Sequence, residues 1–225
     1  GALLDRHDAN QELTYRIIRS PELRDALLSA YGPRAYHLAR VAHQEHCPIG
    51  ELISAPESDS LEKKSTFRWD VVRGERSPNV ETATIKTIAG FLNGHYGGTL
   101  LIGVADDDEP LGLEADYALL RKEGKDDADR FQLTLGQTLI NAVGPAAAAN
   151  VRATIHTVGG VDVCRVHVEP CGHPVHAKIT KVTKDGAKQT SDRFYVRIGN
   201  ATRDLTDDES EMQRYIAGRW KKNGL

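Results

Sequence analysis

Two short stretches decide the fold of this chain: Glu57-Ser-Asp-Ser-Leu-Glu62-Lys63-Lys64-Ser65-Thr66 and Gly97-Gly98-Thr-Leu-Leu-Ile-Gly103-Val104-Ala105-Asp106. In the first stretch, an extended strand beginning near Leu61 alternates its faces, so Glu62 and Lys64 project to one side and Leu61 to the other. In the second stretch, the apolar run 100–104 predicts a buried strand that ends in aspartates. Both stretches therefore place charged side chains on a rigid strand.

The carboxylates of these stretches are candidate metal ligands. If the two strands are neighbours in one sheet, Glu57, Glu62 and Asp106 can converge on one point, with Lys64 beside them. Carboxylate oxygens are the ligands that Mg²⁺ and Mn²⁺ prefer. The alternative is that the three acids are solvated groups flanking two strands, because acidic residues are common at strand ends.

Composition limits the function classes. The chain has 225 residues, of which 40% are apolar, so it can form one sizeable domain or two small ones. Its net charge of −3 means that any nucleic-acid-binding surface must be local. The cysteines Cys47, Cys164 and Cys171 form no even framework, which indicates a reducing cytoplasm. The sequence shows neither a membrane span nor a signal peptide.

The residue pattern predicts two parts, a helical N-terminal segment over residues 1–54 and a domain over residues 55–225 with a mixed β-sheet and helices packed on it. The fold class is therefore α+β. We expect a helix break at Gly32-Pro33, a loop over 73–79 and a tight turn at Gly97-Gly98. Further elements follow from periodicity and turn signals: helices around 85–92 and 131–142, a hairpin turning at Gly159-Gly160, a turn at 184–186, a strand over 194–199, and a last helix opened by a capping box at 206–209.

A basic stretch near the end of the chain is the candidate surface for nucleic acid. We expect Tyr195 and Arg197 to share one strand face, opposite Phe194, Val196 and Ile198, and so to reach a backbone or stack on a base. The other possibility is that the lysines only keep a hairpin soluble. The candidate residues are Lys178, Lys181, Lys184, Lys188, Arg193, Tyr195, Arg197 and Arg203.

Other chemistries are disfavoured. The chain has no Gly-x4-Gly-Lys-Ser/Thr motif, so no ATP is expected as a cofactor. The spacing of Cys171, His173 and His176 matches no standard pair of zinc ligands.

The order of these features resembles the Schlafen-type AlbA-like domain of prokaryotic proteins. The resemblance covers roughly residues 55 to 220. It rests on Glu57-x4-Glu62-x-Lys64, the glycine pair 97–98, the strand ending in Asp106, Gly112, and the motif Phe194-Tyr195-Val196-Arg197-Ile198-Gly199-Asn200-Ala201-Thr202-Arg203. Lys63 departs from the family pattern, which usually has an aromatic or apolar residue there.

The resemblance implies a specific chemistry. Schlafen nucleases cut transfer or ribosomal RNA with a metal-dependent site of three carboxylates, which carry over here as Glu57, Glu62 and Asp106, with Lys64 as the accompanying lysine. Mg²⁺ or Mn²⁺ is the implied cofactor, and toxin-like or anti-phage defence roles fit. Because those nucleases have two such lobes and this chain has one, a homodimer is expected. The competing interpretations are a non-catalytic DNA- or RNA-binding module of a larger protein and a domain that only dimerises an effector.

Overall fold

The structure is a computed structural model that describes residues 20–182 and 188–220. The predicted turn at 184–186 and Lys184 lie outside the described residues, as do the side chains of Lys181 and Lys188. The described helices are α1 (Pro21–His46), α2 (Ile49–Ser54), α3 (Pro78–Asn93), α4 (Glu114–Leu120), α5 (Asp127–Val143), α6 (Pro145–Ala148) and α7 (Glu209–Arg219). Within the described ranges, none of the helices has the length and apolar content needed to cross a membrane.

The strands form one mixed sheet and three small hairpins, which confirms the α+β class. The four-stranded sheet has the order β1-β4-β6-β5, with β1 parallel to β4 and the other pairs antiparallel. The other strands pair as the hairpins β2–β3, β7–β8 and β9–β10. The strands are β1 (Leu61–Lys64), β2 (Trp69–Asp70), β3 (Glu75–Arg76), β4 (Gly98–Ile102), β5 (Val151–Val158), β6 (Val161–Val168), β7 (Ala177–Val182), β8 (Lys188–Arg193), β9 (Tyr195–Ile198) and β10 (Ala201–Asp204).

Both faces of the sheet are buried. Leu100 and Ile102 point to the face that α3 and α5 cover, where they contact a cluster that includes Phe91 and Phe131. Leu101 points to the opposite face, where it packs with residues of α2. Since successive strand residues alternate faces, a central strand covered on both sides must be apolar at every position, as β4 is after its first two residues.

The C-terminal hairpins lie on the far side of α3 and α5. Ala177, Ile179 and Tyr195 from the hairpins pack against Ile85 and other residues of these two helices. The helices therefore have the sheet on one side and the hairpins on the other. Burying each large apolar side chain in such a layer stabilises the fold by about 1.5–3 kcal/mol.

The tight turn before β4 requires glycine. Gly97 has φ 75°, and a Cβ atom there would lie 2.0 Å from the carbonyl oxygen of Val168. A Cβ atom on Gly98 would lie 2.6 Å from the Phe91 ring. The pair lets the end of α3 and the start of β4 approach β6 closely, as the sequence predicts.

Several local predictions are confirmed and others are wrong. The chain kinks at Gly32, where φ is 75°, and β5 and β6 form the hairpin predicted around 159–160. The expected loop over 73–79 instead contains β3 and the first residues of α3. The last helix is capped by Asp208, whose side chain accepts from the Glu211 N–H, and not by Thr206. The Thr206 hydroxyl contacts the hairpin strands instead, where it accepts from the Phe194 N–H and donates to the Asp204 carboxylate.

Candidate functional site

The two decisive strands are neighbours, as predicted. β1 and β4 run parallel with Glu62 opposite Leu100 and Lys64 opposite Ile102. Leu61 is buried on the other face, so the alternation along β1 is the expected one. The Lys64 ammonium donates to the Glu62 carboxylate at 3.0 Å. A carboxylate and an ammonium therefore lie side by side at the edge of the sheet.

Arg197 joins Glu62 and Lys64 in a cluster of three charged side chains. Its guanidinium lies 2.7 Å from the second oxygen of Glu62 and donates to the Ser58 carbonyl at 2.7 Å. Only 3% of the Arg197 side chain and 14% of the Glu62 side chain are exposed. The guanidinium also lies 5.3 Å from the centre of the Phe91 ring. Arg197 therefore ties the β9–β10 hairpin to β1 across α3.

The other two predicted ligands lie at different places. Glu57 is exposed, and its carboxylate accepts from the backbone N–H of Lys63 at 2.9 Å. Asp106 is exposed in the turn that follows β4, where the Ala105 N–H donates to the Glu109 carbonyl at 2.9 Å. Glu57 therefore supports the entry to β1, and Asp106 faces solvent.

The resemblance implies a metal ion held by these carboxylates. Among residues 20–182 and 188–220, no group of three His, Cys, Asp or Glu side chains is placed so that it could hold a metal ion. Glu62 is already bound by two cations. In this arrangement the carboxylates do not fit a preformed metal centre, and we derive no catalytic step through a metal ion.

The candidate nucleic-acid-binding residues divide into two groups. The Arg193 guanidinium bonds both oxygens of Asp207 at 2.8 Å, and Arg197 is buried against Glu62. Arg203 and Lys178 are exposed, and neither forms an ion pair with another described residue. Two of the four described cations are therefore engaged within the fold, and two face solvent.

The exposure expected of Tyr195 is wrong. Its side chain is buried with 3% exposed, and its neighbour Val196 is fully buried, whereas Ile198 is 58% exposed. The face of β9 that carries Tyr195 and Arg197 packs on α3, with Lys86 5.8 Å from the Tyr195 ring centre. Burial, with Asp204 nearby, raises the pKa of Tyr195 to about 12. Base stacking by Tyr195 remains an untested prediction, and it would require this face to open.

Comparison with known families identifies the domain. Residues 57–206 match the family described as Schlafen, AlbA_2. The chain belongs to this family. Membership indicates a nucleic-acid-related function, and the matched range contains β1, β4 and the C-terminal hairpins.

No curated protein matches the chain. Among solved structures it is similar to the crystal structure of the DIP2311 protein from Corynebacterium diphtheriae, with 18% identity and a TM-score of 0.49. The match covers 85% of this chain and 33% of that one, so the chain spans about a third of the length of that protein.

Sequence reasoning missed two charged groups of the AlbA_2 domain. Lys63, the departure from the family pattern, is buried, with its ammonium donating to the Ile53 carbonyl at 2.6 Å and to the Asp108 carboxylate. Asp116 is fully buried, and its two oxygens accept from the N–H groups of Phe67 and Arg68 at 2.8 Å each. Burial raises the pKa of Asp116 above the ordinary value. For Lys63, the signal was a lysine at a core position of β1. For Asp116, no neighbouring residue in the sequence indicated a buried role.

Proposed function

We propose that this AlbA_2 domain binds nucleic acid through the phosphate backbone, with RNA preferred over DNA. The observation that carries the proposal is the family match over residues 57–206. It is supported by the exposed side chains of Arg203 and Lys178, neither of which forms an ion pair with a residue that the structure describes, because such cations are available to phosphates.

A metal-dependent endoribonuclease acting on structured RNA such as tRNA is the second candidate. It is favoured by the parallel pairing of β1 with β4 and by the contact between Lys64 and Glu62 at 3.0 Å. In this candidate Glu57, Glu62 and Asp106 bind Mg²⁺ or Mn²⁺. Glu62 would first have to release the Arg197 guanidinium, so binding without cleavage is the function that the geometry supports better.

One experiment tests both candidates. The protein is incubated with total tRNA and Mn²⁺ or Mg²⁺, with and without EDTA, and the products are separated on a denaturing gel. A mobility-shift assay over a range of salt concentrations measures binding, and unlabelled RNA and DNA of one sequence compete in parallel. The variants are the triple Glu57→Gln, Glu62→Gln, Asp106→Asn and, as a matched control, Asp107→Asn, which changes a neighbouring exposed acid.

The expected result is a salt-sensitive shift, stronger competition by RNA, and intact tRNA under every condition. Discrete fragments that disappear with EDTA and in the triple variant, but persist in the control, would replace the binding proposal with the nuclease. Absence of any salt-sensitive shift would refute nucleic-acid binding and favour a domain that only dimerises an effector.

The homodimer is part of the proposal. A second copy would supply the second lobe that the resemblance implies for a groove around RNA. Light scattering should give twice the monomer mass, and a monomer mass at the concentrations used for binding would refute this part.

A further inference from the structure

A polar groove lies on the outer side of α3, between the β2–β3 hairpin, α5 and the β7–β8 hairpin. Its volume is about 670 Å³. The charged residues that line it are Arg68, Arg76, Glu81 and Lys178, with Asn141 and several threonines beside them. None of the described lining residues is aromatic. The groove therefore offers hydroxyl, amide and cationic groups, but no ring on which a base could stack.

The groove carries an excess of positive charge. Glu81 is the one acidic lining residue among those that the structure describes, and the Arg68 guanidinium lies 2.7 Å from the Glu81 carboxylate. Arg76 lies farther away, at 3.8 Å, and 59% of its side chain is exposed. Lys178 forms no ion pair with any residue that the structure describes. With Arg68 paired to Glu81, Arg76 and Lys178 give the described lining a net positive charge from opposite walls, although Asp192 lies opposite Lys178 across the β7–β8 hairpin.

Neutral donors lie between these cations. Thr180 and Thr190 face each other across the β7–β8 hairpin, and their hydroxyls are 2.8 Å apart. Thr82 lines the groove from α3, and Lys86 lies one helical turn farther along the same face of that helix. Lys86 has no carboxylate partner among the described residues. Hydroxyls and amides beside unbalanced cations are the groups that contact phosphate and sugar in nucleic-acid complexes.

From these observations we infer that the groove of Arg76, Lys178, Thr82, Thr180 and Thr190 is where this domain holds the sugar-phosphate backbone of nucleic acid, without reading its sequence. The inference rests on the proposed function and names its contact surface. The groove is distinct from the carboxylate cluster. Glu81 lines the groove, whereas the Phe91 ring lies beside the Arg197 guanidinium of the cluster. These two residues are separated along α3 by about 15 Å.

The test measures binding of labelled RNA of about 20 nucleotides, longer than the roughly 4–16 nucleotides that one small binding fold covers. Two probes are used, one of mixed sequence and one of uridine alone, and the salt concentration is varied. The variants are the double Arg76→Ala, Lys178→Ala and the control Lys122→Ala, which removes an exposed lysine outside the groove. Thermal unfolding checks that each variant is folded.

Losing two phosphate contacts should lower the slope of log affinity against log salt by about 1.4, since each contact on a single strand contributes about 0.7. If the wild type and the double variant have equal affinity near 1 M salt, the affinity of the double variant at about 0.1 M salt should be about 25-fold lower than that of the wild type. The control should bind as the wild type does, and the two probes should bind alike.

The possible outcomes separate the inference from the proposed function. A double variant that binds like the control would overturn the groove and leave nucleic-acid binding standing. A wild-type protein that binds neither probe would overturn both. A strong preference for one probe would overturn backbone-only contact, since it requires groups that distinguish bases.

Discussion

Replacing Arg197 by methionine should destabilise the whole domain. The guanidinium lies 2.7 Å from the second Glu62 oxygen, and both side chains are largely buried. Removing one partner of a buried pair costs about 3–5 kcal/mol, because the other charge is left uncompensated. Lys64 still lies 3.0 Å from the first Glu62 oxygen, so the lower end applies.

A loss of about 3 kcal/mol corresponds to a fall in Tm of roughly 6–12 °C for a chain of this size. Differential scanning calorimetry measures it directly. Arg203→Met is the matched control, because it removes an exposed arginine of the same hairpin and should change stability by less than about 0.5 kcal/mol.

A double-mutant cycle isolates the pair itself. If Glu62 and Arg197 stabilise the fold through each other, the combined Glu62→Gln and Arg197→Met losses should be smaller than their sum by about 0.5–3 kcal/mol. RNA affinity measured well below Tm should be unchanged in Arg197→Met, as expected for a structural residue. A Tm loss no larger than that of Arg203→Met, or strictly additive losses, would refute this reasoning.

Two further predictions concern the β4 turn and the imidazole of β6. Gly97→Ala should prevent folding or lower Tm severely, because its Cβ atom would lie 2.0 Å from the Val168 carbonyl oxygen. Gly199 is the matched control, since it has a similar φ of 58° but no atom near the added Cβ. In a thermal melt, Gly199→Ala should cost only about 1–2 kcal/mol. Burial lowers the pKa of His167, so the unfolded chain binds more protons below about pH 6.5 and stability should fall as the pH drops further. His167→Gln should reduce that fall in Tm and exposed His176→Gln should not; equal pH profiles would contradict the assignment.

Local patterns explain what the sequence could predict. The period of two in β1, the apolar run of β4 and the glycine pair at 159–160 each depend on residues a few positions apart. The same holds for the kink at Gly32, because Pro33 restricts the residue before it. These signals determined the α+β class and the pairing that places Glu62 beside Lys64.

Pairings between distant residues could not be predicted. Glu62 and Arg197 meet only because the β9–β10 hairpin folds back over α3, and neither residue carries a local sign of the other. Tyr195 was expected to be exposed because it shares a strand face with the charged Arg197. That face is buried, however, and the Arg197 charge is compensated there by its ion pair with Glu62. The same limit applies to Asp116, whose partners Phe67 and Arg68 lie 49 and 48 residues earlier.

Arg197 contacts residues that the ribosome makes much earlier, so these contacts form late in synthesis of the chain. Its guanidinium bonds the Ser58 carbonyl, 139 residues earlier. At about 5–20 residues per second, a ribosome needs about 7–28 s to make that stretch. During this interval β1 and β4 can pair while Glu62 lacks its guanidinium. If the sheet assembles in this interval and the C-terminal hairpin stabilises it afterwards, nascent chains arrested well before and well after Arg197 should differ sharply in protease resistance.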